Sequence, residues 1–335
     1  MKSFKNRAKC QTCNTSLYLW SLTKQGKRRY YCPKCKTTRL YRNSTGKTKQ
    51  YFNLFKQYVL NGVTYELLSE YSGYSIRQLT RRFHALLEID PPLFLIPPVP
   101  LTSFPCLLVD GLWFGRWFVL MVYRQSKRLT IIHISTAGRE VTTKIEKDLQ
   151  YLISLGYIFA GVVSDGGTGV VAAIKKALRF TPHQICLAHV HRDITSSIGK
   201  RSKDYRIQEL RLLVDHVWLI ESKEALKWWR KKLYTWIKTN SEFLEEWRVD
   251  NTGRGWYVHK GVRKAVRILT ELPYTSFRFL DYPLLPKTTN ELEAQFGHLG
   301  KRWLAHRGLK RSRWKQFLKW FVYFYNQKKL SQKKS

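Results

Sequence analysis

Three carboxylates in this chain have the setting that phosphoryl-transfer chemistry needs. Leu107-Leu108-Val109-Asp110-Gly111 and Gly161-Val162-Val163-Ser164-Asp165-Gly166-Gly167 are short apolar runs that end in aspartate and then glycine. Buried strands read this way when they deliver a carboxylate to the end of a sheet. A third acid follows in Thr288-Thr289-Asn290-Glu291-Leu292-Glu293, at the start of an expected helix. Two strand-end aspartates and a helix-borne glutamate supply hard oxygen ligands. Such a set suits two Mg²⁺ ions, with Mn²⁺ as a substitute, holding the attacking and leaving oxygens of a phosphodiester. Blander readings stay open. Asp110-Gly111 and Asp165-Gly166 also suit plain turns, and Asn290 with Glu293 also suits a helix cap.

A second chemistry sits at the N-terminus. Cys10-Gln11-Thr12-Cys13 and Cys32-Pro33-Lys34-Cys35 are two C-x-x-C knuckles flanking Leu17 to Trp20 and Arg29 to Tyr31. Four thiolates at Cys10, Cys13, Cys32 and Cys35 can close one tetrahedral, structural Zn²⁺ site. So short a segment has too little core to fold without it. A redox pair or two incidental pairs are the alternatives. Four protein ligands leave no open position, so catalysis at this zinc is not expected.

The elements that must position these groups follow from periodicity. Residues 1–46 read as a zinc ribbon and residues 47–95 as helices. Tyr51 to Leu60 has helical spacing and ends at Asn61-Gly62; Thr64 to Tyr71 is a short helix; Ser75 caps a third helix to Leu87. A short helix, a glycine turn and an arginine-studded helix predict a helix-turn-helix, with Arg77, Arg81 and Arg82 toward DNA. Ile76, Leu79, Phe83 and Leu86 are expected in its core, and a plain three-helix connector is the alternative. Asp90-Pro91-Pro92 to Pro100 reads as a proline-rich linker.

Residues 101–195 alternate as an α/β unit. The Asp110 strand, Trp117–Tyr123 and Leu129–Ile134 form a meander. A helix over Glu140–Ser154, the Asp165 strand, a helix to Leu178 and a strand near His183–Leu187 follow. The order β-β-β-α-β-α-β is that of a ribonuclease H-like core, in which the first and fourth strands are neighbours. Asp110 and Asp165 would then meet. Residues 196–285 read as an all-helical insertion domain with Trp218, Trp228, Trp229, Trp236, Trp247 and Trp256 mostly in its core. Residues 286–335 complete the catalytic core. They hold Glu293, a basic and aromatic stretch through Trp303, His306, Arg307, Arg311, Arg313, Trp314, Trp320, Tyr323 and Tyr325, and a solvated basic tail from Gln327. Lone His133 and His298 receive no role.

Composition narrows the partners. The 335 residues include 60 Lys and Arg against 23 Asp and Glu, a net charge of +37, with 44% hydrophobic residues. A folded chain this basic expects a polyanion, first of all nucleic acid. The apolar run Trp117–Tyr123 is too short to span a bilayer, so no membrane partner is expected. No apolar run follows Met1-Lys2-Ser3-Phe4-Lys5-Asn6-Arg7, so the reading expects a cytoplasmic protein. Six cysteines there point to metal or packing rather than disulfides.

Taken in order, Val109-Asp110-Gly111, Ser164-Asp165-Gly166, Cys186-Leu187-Ala188-His189, Asn290-Glu291-Leu292-Glu293 and Ala305-His306-Arg307-Gly308-Leu309 resemble the bacterial insertion-sequence transposases of the Mutator-like superfamily. That resemblance spans nearly the whole chain. It implies a DDE active site with Asp110, Asp165 and Glu293 catalytic and holding Mg²⁺, Glu293 lying in the family's Asn-x-x-Glu setting. It makes Cys186 and His189 the family's C-x-x-H motif, with a structural or DNA-positioning part. It implies double-stranded DNA partners (terminal repeats and target), a homodimer or larger assembly on DNA, and a nucleoid-associated location. A non-catalytic DNA-binding regulator, or a metal-dependent nuclease or resolvase on the same core, is the alternative. Between the two nearby glutamates, the spacing of Leu292, Phe296 and Leu299 sets Glu293 beside the buried side and sends Glu291 to solvent.

Overall fold

The computed structural model describes residues 9–10, 12–23, 28–40, 44–126, 128, 130–138, 141–199, 202–293, 297, 299–300, 306 and 308–332. Glu140, Phe296, His298, Arg302, Trp303, Ala305 and Arg307, read above, lie outside the described residues. The chain divides into two units, Met1–His84 and Ala85–Ser335.

In the first unit, β1 (Tyr18–Leu22), β2 (Arg28–Cys32) and β3 (Thr37–Leu40) form an antiparallel sheet in that order. Its strands are mostly exposed, so they bring almost no core of their own. Helix α1 (Ser44–Lys56) runs on as a π-turn, Gln57–Asn61, and stops at left-handed Gly62. Helices α2 (Tyr65–Ser72) and α3 (Ile76–Leu86) are separated by Gly73, also left-handed. Ser75 and Gln78 close a reciprocal capping box at the start of α3, at 3.1 and 3.3 Å. Phe83 of α3 meets Phe55, Tyr58 and Tyr65, and Leu79 is buried with it. Ile76 is exposed and Leu86 only half-buried, so the core stripe of α3 is narrower than its sequence suggested. Arg77, Arg81 and Arg82 all face solvent.

The second unit is built on a five-stranded mixed sheet: β4 (Cys106–Phe114), β5 (Phe118–Gln125), β6 (Ile131–Ala137), β7 (Gly161–Ser164) and β8 (His183–Ile185), in the order β6-β5-β4-β7-β8. The first three strands are an antiparallel meander, and β7 and β8 join parallel to β4. Helices α4 (Thr142–Ser154) and α5 (Thr168–Ala177) cover one face through Ile145, Leu149, Leu152, Val170 and Ile174 against Leu107, Val109, Met121 and Val162. Period-two alternation then turns Leu108 and Asp110 to the other face.

Both sheet edges are covered. Asn326, on the C-terminal helix Trp314–Ser331, accepts from Ile131 N at 2.9 Å and donates to Ile131 O at 2.8 Å. On the other side, Gln184 donates to Ser276 O at 2.8 Å and accepts from Phe279 N at 3.2 Å, holding the turn Tyr274–Leu280 over β8. The C-terminal helix continues to Ser331 and carries eight buried side chains up to Asn326. Gln327 to Ser331 are therefore the end of a packed helix and not a free tail. The proline-rich stretch is laid against this unit, with Ile96 buried and Arg128 donating to Pro97 O at 2.8 Å.

Between β8 and residue 285 the chain forms α6 (Leu187–Ile198), α7 (Tyr205–Asp215), α8 (Lys223–Thr239), α9 (Ser241–Glu245) and α10 (Lys260–Thr270) around Leu187, Trp229, Leu233, Trp236, Ala265 and Phe277. The expected all-helical block is not all-helical: β9 (Trp247–Val249) and β10 (Gly255–Tyr257) make an antiparallel hairpin. Its turn is set by Asp250, whose Oδ1 accepts from Thr252 N at 2.9 Å and Arg254 N at 3.0 Å. Of the six tryptophans, Trp229 and Trp236 are core, while Trp228 and Trp247 are exposed. Among the described residues, no helix is long and apolar enough to cross a membrane.

Candidate active site

β4 and β7 pair in parallel as far as Leu108↔Val163, so Asp110 and Asp165 each follow two residues beyond the last pair, at the same level of the sheet. Asp110 is almost fully buried, at 4% exposure. Its Oδ1 accepts from Gly111 N at 2.8 Å. Asp165 turns its carboxylate onto Gly167 N at 3.0 Å, at the mouth of α5. Gly166 is left-handed there (φ 85°), and a Cβ would lie 2.9 Å from Ile185, so only glycine fits behind the aspartate. Ser164, just before Asp165, meets His183 at 2.9 Å. Burial drives that imidazole down to about 4, against the opposing pull of Asp165.

The other half of the site comes from α6 and from the helix that opens at Asn290. Cys186 caps α6, and His189 lies on its first turn. His189 Nε2 is 3.9 Å from Asp110 Oδ1 and 3.8 Å from Glu293 Oε1. The ligand atoms of Asp110, His189 and Glu293 all lie within 4.8 Å of one another. Asp165 adjoins this group without joining it. Its charge is felt at Asp110, whose carboxyl burial pushes up to about 6; His189 opposes the rise, and Asp165 and Glu293 add to it. Crowded, desolvated carboxylates of this kind are stabilised by a cation.

The segment leading to Glu293 is clamped to α6. Thr289 donates to the Cys186 sulfur from its backbone N at 3.2 Å and its hydroxyl at 3.4 Å, and Leu187 N donates to Lys287 O at 3.0 Å. The same hydroxyl is 3.5 Å from Asp110 Oδ2. Burial would raise the Cys186 thiol, yet hydrogen bonds with His189 and Thr289 outweigh it and lower it. His189 Nδ1 is buried without a hydrogen bond of normal geometry. The Cys186 sulfur and, less strongly, Asp110 raise that imidazole to about 9 against the cost of burial.

Two arginines sort the glutamates. Arg192, one turn beyond His189 on α6, donates from one nitrogen to both oxygens of Glu293, at 2.6 and 2.7 Å. Glu291 does not simply face solvent. It is 46% exposed, but its carboxylate pairs at 2.7 Å with Arg124 of β5, which is buried, and its carbonyl takes a second Arg124 bond at 2.6 Å. Leu292 and Leu299 are buried, as their spacing required. Sequence reasoning missed Arg192, Thr289 and Arg124. Arg192 was within reach, since positions three apart on a helix share a face with His189. Arg124 gave no signal, because it stands with Gln125 at the polar end of β5, where a charge reads as the start of a turn.

In the first unit the four thiols converge. Cys10 and Cys35 sulfurs are 3.9 Å apart and those of Cys13 and Cys32 are 3.4 Å apart, and all four lie within 4.8 Å of one another. A tetrahedral ion with Zn–S bonds of about 2.3 Å needs sulfurs about 3.8 Å apart, and a disulfide needs about 2.0 Å. The four thiols therefore fit a metal and are not bonded to each other.

A search of curated proteins finds no match to this chain. Residues 131–251, from β6 to the turn between β9 and β10, match the family model described as Transposase, Mutator family. The matched stretch contains Asp165, Cys186, His189 and Arg192; Asp110 and Glu293 lie on either side of it. Over that stretch, about a third of the chain, the protein is similar to the Mutator-family transposases.

Proposed function

We propose that this protein is a transposase of the DDE type: it binds the ends of a DNA element, cleaves them and joins them to target DNA at Asp110, Asp165 and Glu293. The carrying observation is the meeting of Asp110, His189 and Glu293, residues from three separate parts of the chain, just beyond the last paired residues of β4 and β7. The strand order β6-β5-β4-β7-β8 with α4 and α5 on one face supports a ribonuclease H-like core. The block between α6 and residue 285 is then its insertion domain.

Two Mg²⁺ ions, or Mn²⁺, would be held by the three carboxylates and would supply charge to the attacking and leaving oxygens of an in-line displacement. The chain does the rest. Asp110 is fixed by Gly111 N and by the Thr289 hydroxyl. Glu293 is placed by the Cys186–Thr289 clamp, and its release from Arg192 frees both oxygens. Arg192 then presents its guanidinium to a DNA phosphate, a geometry arginine matches well. His189, between two acids, keeps them together while the site is empty of cation. Burial of Asp110 excludes water that would weaken these interactions.

In the first unit we assign one structural Zn²⁺ to Cys10, Cys13, Cys32 and Cys35, making β1–β3 a zinc ribbon. Helices α2 and α3 act as a helix-turn-helix that reads the terminal repeats, with Arg77, Arg81 and Arg82 on its exposed side. Two ends must be handled together, so the working form is a dimer or larger assembly on double-stranded DNA. A strand-transfer assay with labelled ends and Mg²⁺ tests the reading. Cutting followed by joining supports it; cutting alone would indicate a nuclease or resolvase, and binding alone a regulator.

A further inference from the structure

β4 and β5 continue past the point where the sheet ends. β7 pairs with β4 only at Cys106–Leu108, whereas β4 and β5 stay paired out to Phe114↔Phe118. The resulting arm grows directly from Asp110 and overhangs the edge where Asp165 lies. At about 3.4 Å per residue, Trp113 lies about 10 Å along the arm from Asp110 and the turn about 14–17 Å.

The arm is rigid. Its turn, Gly115-Arg116-Trp117, has Gly115 at φ 59°, and Trp117 N donates to Phe114 O at 3.2 Å. Beneath it Phe114 and Phe118 are buried and stacked at 4.9 Å, and Phe118 meets Trp314 of the C-terminal helix at 6.3 Å. Yet Trp113 is 51% and Trp117 55% exposed. The Arg311 guanidinium lies 3.5 Å from the centre of the Trp117 ring. Arg116, Lys310 and Arg311 are exposed, and neither 111–118 nor 308–314 contains an acid.

Large aromatics held in water on a fixed support, with cations and no acids, match the make-up of single-strand DNA sites: base faces stack on rings and the cations take the phosphates. A second copy of the chain is the poorer occupant. A two-fold pairing of this tip would set Arg116 and Arg311 against like charges.

We propose that the β4–β5 arm is a stacking platform for an unpaired nucleotide of the DNA strand engaged at Asp110. Trp117, backed by Arg311, takes the face of the base, and Arg116 takes a phosphate. At about 3.4 Å per nucleotide the platform lies within about five nucleotides of the reacting phosphate. The proposal rests on the proposed function for the position of that phosphate, though not for the binding itself.

The test uses full-length protein and one mixed-sequence DNA of about 30 nucleotides, as single strand and as duplex, without metal so that nothing is cut. The single strand carries 5-iododeoxyuridine for photocrosslinking, and adducts are mapped by peptide mass. Crosslinks at Trp117 are expected. Trp117→Ala should weaken single-strand binding about 5- to 100-fold while duplex affinity and melting temperature stay put, and Trp117→Phe should restore most of the loss. An unchanged single-strand affinity in the Trp113→Ala/Trp117→Ala double variant overturns the proposal. So does a double variant that changes only the sedimentation of the free protein, which would make the arm a contact between copies. Because no step requires cleavage, a chain that never cuts DNA would sink the proposed function and leave this result readable.

Discussion

Glu291 and Glu293 are two residues apart and have opposite duties. Glu293 faces Asp110, His189 and Arg192, whereas Glu291 neutralises buried Arg124. Glu293→Gln should abolish end cleavage and strand transfer while leaving DNA binding and melting temperature nearly unchanged, since the amide keeps the volume and removes only the charged ligand. Glu291→Gln should show the reverse: metal-dependent cleavage persists, and melting falls by about 2–4 °C as Arg124 loses part of its compensation, worth about 1 kcal/mol at a half-exposed partner. A Glu293→Gln protein that still joins ends would return suspicion to Glu291. The spacing of Leu292 and Leu299 made the buried side of this segment legible. What stayed hidden was the partner of each acid, because Arg124 and Arg192 lie far away in sequence.

At the scale of elements, α4 is tied to the sheet by one buried acid. Asp148 accepts from Tyr123 at 3.0 Å and from Ser135 and Lys144, and His133 Nε2 stands 3.4 Å away, an ion-pair distance. Burial alone would raise Asp148; the bonds from His133, Lys144 and Ser135 outweigh it and hold it at about 2. The carboxyl of an unfolded chain titrates near 4. A depressed folded value means this stabilisation is whole above about pH 4 and is lost as pH falls toward 2. It amounts to about 2–3 kcal/mol. Asp148→Asn should flatten the acid limb of the stability curve, read by denaturant melts between pH 5 and 2. His133, left without a role in the sequence reading, belongs to this network. Strand order could be anticipated from the alternation of apolar runs. The β9–β10 hairpin could not be picked out as easily, since Trp247-Arg248-Val249 is short enough to pass for a helix end.

The ribbon makes a complementary case. β1–β3 bring so little core that four thiols at metal spacing must carry their order. Protein purified without chelator should hold one zinc per chain. Removing it should erase the ribbon's backbone amide dispersion by NMR and leave the melting of the five-stranded unit in place. A preparation free of zinc with an intact ribbon would refute the assignment.

For the whole molecule, charge sets the terms of association. A net charge of +37 leaves few acids, and many of these are engaged in ion pairs with the chain's own arginines, lysines and histidines. If binding neutralises roughly 6–10 phosphates, log affinity should fall with log salt at a slope of about −5 to −9. A nearly flat response in equilibrium binding between 50 and 200 mM salt would argue against broad backbone contact.

The site is also ordered in time. Asp110 and Asp165 leave the ribosome early, while Thr289, Glu293 and the helix that seals β6 through Asn326 come late. At about 5–20 residues per second, the nascent chain spends roughly 6–25 s with both aspartates made and Glu293 still to come. Throughout that interval the N-terminal unit is already complete. On the proposed function, a message cut short between Asp165 and Glu293 would yield a protein that keeps the N-terminal unit but lacks the third carboxylate, and it is expected to occupy DNA ends without cutting them.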